Sequence, residues 1–374
     1  MIYLDNAATT RYKPEEVYGA FEHYIREIGV SPGRGCYGPG IEASRLLYQI
    51  RKKVGSFFGL KKSANVVFTK NSTEAINLFF RGILNSGDHV VITCYEHNAV
   101  LRTLENLKRE RKIEYSIICR EDLLQESEKV YEKYCKENTR IFASTLASNL
   151  TGRIVFREDV FRYMHKKGII TFVDASQGAG KLPLRMSEQR IDYLAFTGHK
   201  DLMALPGVGG LCCRRKDEVK PLIQGGTGIF GDTYVNPDVF PEGLEAGTLN
   251  MPAICALNAA IRYLEQHQTE LMEKDHKLRG ILLEKLSELE HIEIYDSQEP
   301  GIGAVGFNVK GHSSADIVKK LDESGICVRG GIHCTVLAHE ALGTVNTGMV
   351  RVSVGEQNTM EDIKKLIDVL KECR

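Results

Sequence analysis

The chain has 374 residues, of which 43% are hydrophobic and 26% are charged, and its 49 basic residues balance its 49 acidic ones. This length favours two domains over one hydrophobic core. The balanced charge disfavours nucleic acid and anionic membranes as partners, and no apolar run reaches membrane-spanning length. The opening residues MIYLDNAATTRYKP lack the basic and apolar regions of a secretory signal.

Ten cysteines are present, and none of them forms a Cys-x-x-Cys pair. In a chain of this size they indicate reduced thiols, so we expect a cytoplasmic protein. Cys212 and Cys213 are adjacent in a predicted strand, which places their side chains on opposite faces of a sheet, where both are expected to pack.

Between about residue 64 and residue 214, short β-branched runs alternate with amphipathic helical patterns. Near-continuous apolar strands separated by such helices are typical of a parallel sheet that is covered on both faces. The runs predict strands at 65–69, 89–94, 140–145, 168–174, 191–197 and 207–213.

The pattern changes beyond residue 254. Residues 254–267 predict a long connecting helix and are followed by a helical stretch at 278–290; shorter strands and helices then continue to the end of the chain. We therefore predict an α/β protein with a large domain over residues 15–255 and a small α+β domain formed by residues 1–14 and 256–374. The segment 224–248 is rich in glycine and proline without periodicity, and a loop of that length favours a function.

Polar side chains follow the predicted parallel strands, and open parallel sheets bind ligands at the carboxyl ends of their strands. After strand 65–69 comes Asn-Ser-Thr-Glu, a helix start whose free N–H groups suit a phosphate. The side chains that follow the other strands are His97, Asn149, Asp174 with Gln177, and Thr197 with His199 and Lys200.

Together these groups suit pyridoxal phosphate. Lys200 supplies the amine of a Schiff base, and Asp174 favours a protonated ring nitrogen, which keeps the ring electron-accepting. His97 is expected to stack on the ring and Gln177 to bond its hydroxyl. Each residue alone has an ordinary explanation, such as a helix cap or a loop carboxylate. Their occurrence in this order at successive strand ends favours the cofactor.

The motifs YLDNAATT, NSTEAIN, YEHNAV, SNLTG, VDASQ, FTGHK, EAGTLN and VRGGIHC occur in this order over nearly the whole chain. In them the chain resembles the class V aminotransferases and specifically the cysteine desulfurases, in the short-loop branch that includes the SufS type and selenocysteine lyases. The resemblance implies the type I fold of pyridoxal-phosphate enzymes, with a large domain built on a mostly parallel seven-stranded sheet. It also implies a small domain that carries the cysteine loop, and a homodimer with its active sites at the interface.

The resemblance also implies a role for each site residue. Lys200, Cys334 and His97 match catalytic positions, and Asn149 and Arg351 match groups that hold the substrate; we add Arg329 as a further substrate-binding candidate. Thr248 matches a residue that reaches the cofactor phosphate of the neighbouring subunit. The full set of implied cofactor-binding residues is Ser72, Thr73, His97, Asn149, Asp174, Gln177, Thr197, His199, Lys200 and Thr248.

Cys334 has three possible roles, which are a metal ligand, an inert core thiol and a nucleophile. His333 and His339 are near it in sequence, but no second cysteine or carboxylate cluster lies at zinc spacing, and we expect no metal. The preceding glycine pair lets the backbone approach a ligand. Arg329 and His333 place positive or proton-accepting groups beside the thiol, which favours a reactive thiolate.

We therefore expect a pyridoxal-phosphate-dependent cysteine desulfurase that converts L-cysteine to L-alanine and passes a Cys334 persulfide to a sulfur-acceptor protein. Selenocysteine or cystine cleavage, or amino transfer on the same fold, is an alternative, and a non-catalytic sulfur-relay partner is another. Departures from the family pattern at Cys36, Ile332 and Glu356-Gln357 leave the preference between cysteine and selenocysteine open, together with the acceptor and pathway.

Overall fold

The structure, a computed structural model, describes residues 1–33, 35–62, 64–125, 127–215 and 219–373. Its strands are β1 (Ile2–Tyr3), β2 (Val66–Thr69), β3 (His89–Thr93), β4 (Glu114–Ile118), β5 (Thr139–Thr145), β6 (Ile170–Asp174), β7 (Tyr193–Thr197), β8 (Gly209–Cys213), β9 (Ile292–Ile294), β10 (Ala304–Val309), β11 (Ile326–Cys327), β12 (Arg329–Gly331) and β13 (Met349–Ser353). Its α-helices are α1 (Glu15–His23), α2 (Gly38–Phe57), α3 (Ser72–Ile83), α4 (Asn98–Arg111), α5 (Arg120–Leu123), α6 (Glu158–Lys166), α7 (Met251–Ser287), α8 (Ser314–Glu323), α9 (Val336–Ala341) and α10 (Met360–Lys371). A π-helical turn (Tyr24–Ile28) and two 3₁₀ segments (Glu128–Tyr134 and Glu242–Leu244) complete the set.

A seven-stranded sheet in the order β2-β8-β7-β6-β5-β3-β4 forms the larger part of the molecule. β8 pairs antiparallel with both of its neighbours, and the other pairs are parallel. The predicted α/β class with a mostly parallel seven-stranded sheet is confirmed. The edge strand β4 was not predicted, because its sequence, EYSII, begins with polar and half-exposed side chains.

Two hydrophobic clusters lie on the two faces of this sheet. Helices α3 and α4 cover one face, where the ring of Phe79 stacks on that of Phe172 at a centroid distance of 4.3 Å. Helices α2 and α6 and the first half of α7 cover the other face. Cys212 belongs to one cluster and Cys213 to the other, as the alternation of strand side chains predicted.

A second, four-stranded antiparallel sheet in the order β12-β13-β10-β9 packs with α8, α10 and the second half of α7. The first strand, β1, pairs parallel with β11, which joins the amino terminus to this part of the fold. Helix α7 contributes to both hydrophobic cores, so the domain boundary proposed at residue 255 falls inside one continuous helix.

Helix α7 runs without interruption through the stretch predicted at 254–267 and into the one predicted at 278–290, where it ends at Ser287. The residues between them, QTELMEKDHK, include no glycine or proline and are mostly good helix formers, so nothing ends the helix there. Its start is fixed by Asn250, whose side chain accepts a hydrogen bond from the N–H of Ala253. Within the described ranges, the helices fall short of the length and apolarity needed to cross a membrane.

Candidate active site

A cavity of about 200 Å³ opens at the carboxyl ends of β5, β6 and β7. It brings together every predicted cofactor-binding residue except Thr248. The predicted residues in its wall are Ser72, Thr73, His97, Asn149, Asp174, Gln177, Thr197, His199 and Lys200. A larger groove of about 770 Å³ between α1, α2 and α7 contains none of them, so volume alone does not identify the site.

One end of the cavity is built for an anion. Asn71 caps α3 by accepting a hydrogen bond of 3.0 Å from the N–H of Glu74, whose carboxylate accepts from the N–H of Lys70 at 2.8 Å. This fixes the first turn of α3, whose N–H groups lack partners within the helix, at the cavity wall beside Ser72. The Thr197 hydroxyl is buried in the same wall and has no hydrogen-bond partner among the described residues. A buried hydroxyl without a partner is costly, and a phosphate oxygen would satisfy it.

The carboxylate of Asp174 lies at the end of β6 and is buried. Its Oδ1 accepts hydrogen bonds from both the N–H and the hydroxyl of Ser176, the former at 2.9 Å. Gln177 is held by a hydrogen bond of 2.7 Å from its Nε2 to the carbonyl oxygen of Ala7. Both side chains are therefore fixed before any ligand enters, and their chemistry fits the nitrogen and hydroxyl of a pyridinium ring.

His97 is the amino-terminal cap of α4. Its Nδ1 accepts a hydrogen bond of 3.0 Å from the N–H of Ala99, so the proton of the neutral ring is on Nε2. Burial lowers the pKa of His97, and the charge of Asp174 opposes this only in part. A neutral, flat imidazole is therefore held at the cavity, as the stacking role requires.

Lys200 follows β7 in the segment TGHK. Burial lowers the pKa of its amine, and the nearby Asp174 carboxylate opposes that shift. The carbonyl oxygen of Lys200 accepts a hydrogen bond from the Thr10 hydroxyl, and that of His199 accepts from the Lys13 amine at 2.8 Å. The amino-terminal segment thus fixes the backbone from which the lysine extends.

His199 has a neutral ring. Its Nδ1 lies 3.0 Å from the Thr9 hydroxyl, and burial, followed by the charges of Lys200 and Lys13, lowers its pKa to about 4. A neutral ring beside the anion-binding end acts as a hydrogen-bonding group and adds no charge.

Cys334 is exposed on the loop between β12 and α9. Three hydrogen bonds join this loop to Asn149 in the cavity wall and to the two residues that flank His97. They run from Asn98 N–H to the Cys334 carbonyl at 2.8 Å, from Asn149 Nδ2 to the His333 carbonyl at 2.7 Å, and from the Thr335 hydroxyl to the Glu96 carbonyl at 3.2 Å. His333 and Cys334 have φ angles of 54° and 58°, a strained left-handed conformation for non-glycine residues. Such strain persists where the surroundings enforce it, as these bonds do.

Of the two roles that the sequence allowed for His333, positive or proton-accepting, the structure leaves only that of a neutral ring. Its ring is buried, and burial followed by the charge of Arg351 lowers its pKa to about 3. The ring lies parallel to that of His339 at a centroid distance of 6.1 Å. His333 is therefore a neutral packing residue, and in the parts of the chain that are described no group of three or more metal-ligating side chains occurs.

The three predicted substrate-binding residues lie together. Arg351 is 1% exposed, and its Nη1 donates a hydrogen bond of 2.9 Å to the carbonyl oxygen of Asn149. Its Nη2 donates to Asp5, and its Nε has no partner among the described residues. Arg329 is the direct cross-strand neighbour of Arg351 in the β12–β13 pair.

Thr248 lies outside the cavity. It is exposed and lines a separate groove of about 400 Å³ that also includes Lys70 and Glu74. The preceding Glu245 is fixed by the buried guanidinium of Arg51 at 2.6 and 2.9 Å. In a single chain Thr248 therefore does not join the other cofactor-binding candidates, and its role toward a second subunit stays a prediction.

Several residues that support the site were missed from the sequence. Asp5, Thr9, Thr10 and Ser176 bond predicted residues or their backbones. Glu96 and Thr335 bond each other and so join the segment before His97 to the segment after Cys334. Three of the motifs, YLDNAATT, YEHNAV and VDASQ, include five of these residues, but a motif alone does not indicate which partner each residue contacts. That information depends on pairs separated by up to 346 positions, as in Asp5 and Arg351.

The family model described as Aminotransferase class-V matches residues 2–366. The chain belongs to the class V aminotransferase family. Proteins of this family depend on pyridoxal phosphate, so the predicted cofactor and the type I fold are confirmed.

Relatives in this class V family cover nearly the whole chain. A probable cysteine desulfurase of Methanothermobacter thermautotrophicus is 33% identical over 99% of this chain and 94% of its own length. A cysteine desulfurase of Haloferax volcanii is 30% identical over 100% of this chain and 89% of its own. The apo cysteine desulfurase of Thermococcus onnurineus NA1 superposes with a TM-score of 0.90 at 32% identity, covering 99% of this chain and 94% of the other.

Proposed function

We propose that this chain is a pyridoxal-phosphate-dependent cysteine desulfurase that converts L-cysteine to L-alanine and carries the removed sulfur as a persulfide on Cys334. One observation carries the proposal: the loop that bears the exposed Cys334 is fixed, through the backbone carbonyls of Cys334 and His333, by Asn98 and by Asn149. Asn149 lines the cavity that contains Lys200, and Asn98 directly follows His97 in its wall. The relatives named as cysteine desulfurases support the same activity.

The cavity wall offers each part of the cofactor a matching group. Ser72, Thr73, Thr197 and His199 would hold the phosphate, and Lys200 would hold the aldehyde carbon. Asp174 and Gln177 would hold the ring nitrogen and the ring hydroxyl, as their fixed orientations favour. When bound, the cofactor supplies an electron sink for the charge that develops as the substrate loses its α-proton.

The substrate carboxylate binds at the guanidinium of Arg351, whose planar fork suits a carboxylate and whose Nε is free to donate. Asn149 orients that guanidinium through its backbone carbonyl and the cysteine loop through its side chain. One residue therefore fixes both the substrate anchor and the nucleophile loop. Arg329 adds a second positive charge on the same face of the sheet.

Lys200 accepts the α-proton of the substrate as a general base. Only the neutral amine accepts a proton, and the lowered pKa raises its fraction at neutral pH. Cys334 then attacks the substrate sulfur as a thiolate. A sulfur–sulfur bond forms, the carbon–sulfur bond breaks, and its electron pair returns to the carbon, which is protonated to give alanine.

The finer assignments are also proposals. The loop between β12 and α9 comprises only residues 332–335, which favours the short-loop branch that includes the SufS type and selenocysteine lyases. Large apolar side chains are exposed along the 223–239 segment that precedes Thr248, which supports a homodimer in which Thr248 reaches the partner's cofactor. A sulfur-acceptor protein takes the persulfide sulfur, and the ten free thiols favour a cytoplasmic location.

The test uses the purified yellow protein incubated with L-cysteine. We expect equimolar alanine and sulfide in the presence of a reductant, and an added mass of about 32 Da on the Cys334 peptide without it. Cys334→Ala should abolish both products, and Cys36→Ala is the matched control because Cys36 is the other exposed cysteine. Absence of the adduct and of sulfide from the wild-type protein would refute the proposal. Survival of selenocysteine cleavage or amino transfer in Cys334→Ala would instead favour those activities.

A further inference from the structure

The guanidinium that is proposed to hold the substrate already has an anionic partner. Arg351 is almost completely buried, and its Nη2 is paired with the carboxylate of Asp5. Its Nη1 is committed to the Asn149 carbonyl, and its Nε has no partner among the described residues. A substrate carboxylate that uses Nε together with the adjacent Nη2 therefore meets Asp5 at one of its two donors.

The surrounding charges explain why such a partner exists. Arg351 and Arg329 are directly opposed on neighbouring antiparallel strands, an arrangement that is unfavourable for like charges. Arg329 forms no ion pair in the described ranges of the chain, so Asp5 is the anion that offsets this pair of cations. A buried cation without a partner is costly, and Asp5 removes that cost while the site contains no substrate.

Of the two side chains in this ion pair, that of Asp5 can leave the pair more easily. Its side chain is 19% exposed, against 1% for that of Arg351, so a carboxylate leaving the pair regains water while the guanidinium stays in place. Arg351 extends from the central strand β13, whereas Asp5 lies in the irregular segment after β1.

We infer that Asp5 competes with the substrate carboxylate for Nη2 of Arg351 and thereby sets the affinity of the site for carboxylate ligands. This inference rests on the proposed function, because it takes Arg351 as the carboxylate anchor. Asp5 keeps the empty site charge-paired and weakens every carboxylate that enters, substrate and alanine product alike. The pair thus favours release of the alanine product.

The experiment measures binding of 3-mercaptopropionate to the holoenzyme by calorimetry, because this probe has the carboxylate and thiol of cysteine but no amine to react with the cofactor. We expect Asp5→Asn to lower its Kd by about tenfold, as expected for the loss of one charged competitor, and to lower the KM for cysteine more than it changes kcat. Asp5→Glu should restore the wild-type Kd because it keeps the charge. Glu361→Gln, which removes an exposed surface carboxylate, should leave Kd unchanged.

An unchanged or raised Kd in Asp5→Asn would overturn the inference, as would probe binding that survives in Arg351→Gln. Asp5→Ser serves as a second removal of the charge should Asp5→Asn fail to fold. The outcome is separate from that of the proposed function. A wild-type enzyme that forms no persulfide refutes the desulfurase assignment. Binding of the probe reports only on whether its carboxylate and that of Asp5 compete for Arg351.

Discussion

The backbone N–H of Asn98 donates a hydrogen bond of 2.8 Å to the carbonyl oxygen of Cys334. Asn98 is the first residue of α4 and directly follows His97, the proposed stacking residue. The bond therefore uses one of the free N–H groups of a helix start to fix the nucleophile loop relative to the ring face of the cofactor. The next residue of the loop, Thr335, makes a second connection, because its hydroxyl donates a hydrogen bond to the carbonyl oxygen of Glu96.

Replacing Thr335 by Val should uncouple the cysteine loop from the cavity. The Thr335 side chain is completely buried, so the change removes one hydrogen bond without changing shape, and we expect a stability loss of about 1 kcal/mol. Persulfide formation on Cys334 should slow by about tenfold because the thiol is less well positioned. Exchange of the substrate α-proton in heavy water, which we propose depends on Lys200, should continue at the wild-type rate.

Thr335→Ser is the matched control, because it keeps the hydroxyl and should retain most of the persulfide rate. Equal slowing of proton exchange and persulfide formation in Thr335→Val would indicate general damage to the site. That result would contradict a positioning role for this residue.

Replacing Thr197 by Val should weaken the binding of pyridoxal phosphate without destabilising the protein that lacks it. The Thr197 hydroxyl is buried without a partner in the described part of the chain, so its removal costs no existing hydrogen bond. We expect the Kd for the cofactor to rise about tenfold in an absorbance titration.

Thr103→Val is the control. It removes the buried hydrogen bond of 2.7 Å from the Thr103 hydroxyl to the Ala99 carbonyl, and it should lower stability but leave cofactor affinity unchanged. A Thr197→Val protein with unchanged cofactor affinity would remove this hydroxyl from the phosphate site.

The central strands and the residues at their ends could be predicted because both signals are local. Strands β3, β6, β7 and β8 are wholly buried, so their sequences are short continuous apolar runs. A ligand residue that directly follows such a run, as Lys200 follows β7, is then placed by the topology of a parallel sheet.

The contacts that hold the site together could not be predicted, because they depend on packing between distant segments. Asp5 contacts Arg351 across 346 positions of the sequence, and Thr335 contacts Glu96 across 239. His333 shows the same limit. The sequence left open whether His333 beside Cys334 is positive or neutral, and only the burial of its side chain shows that desolvation keeps the ring neutral.

Glu96 should make the stability of the protein fall with rising pH. It is completely buried, and burial raises its pKa to about 8, from an ordinary value of 4.5, although its Oε1 accepts hydrogen bonds from Thr93 and Thr145. A carboxyl whose folded pKa is raised contributes stability that is fully present below its unfolded pKa and is lost as the pH rises toward the folded value. Glu96→Gln mimics the protonated form. It should therefore be more stable than the wild type at pH 8 by about 4 kcal/mol and within about 1 kcal/mol of it at pH 5.

Urea denaturation at the two pH values measures this difference for Glu96→Gln. The exposed Glu361 provides the control, because Glu361→Gln should show the same small difference from the wild type at both pH values. A Glu96→Gln protein that is equally destabilised at pH 5 and pH 8 would show that the carboxyl is ionised throughout this range.

Lys181 should be essential for stability, because it joins two buried carboxylates from different parts of the chain. Its amine lies 3.2 Å from Asp201, the neighbour of Lys200, and 2.7 Å from Asp275 in α7. Burial opposes the charge of Lys181, but the two carboxylates outweigh it and raise its pKa. Lys181→Met would leave both carboxylates buried without their cation, and we expect the free energy of unfolding in urea to fall by about 3 kcal/mol.

The control is Lys371→Met, which removes an exposed pair with Asp368 and should lower the free energy of unfolding by less than about 1 kcal/mol. Equal effects of the two variants would show that the buried carboxylates find water or another cation once Lys181 is gone.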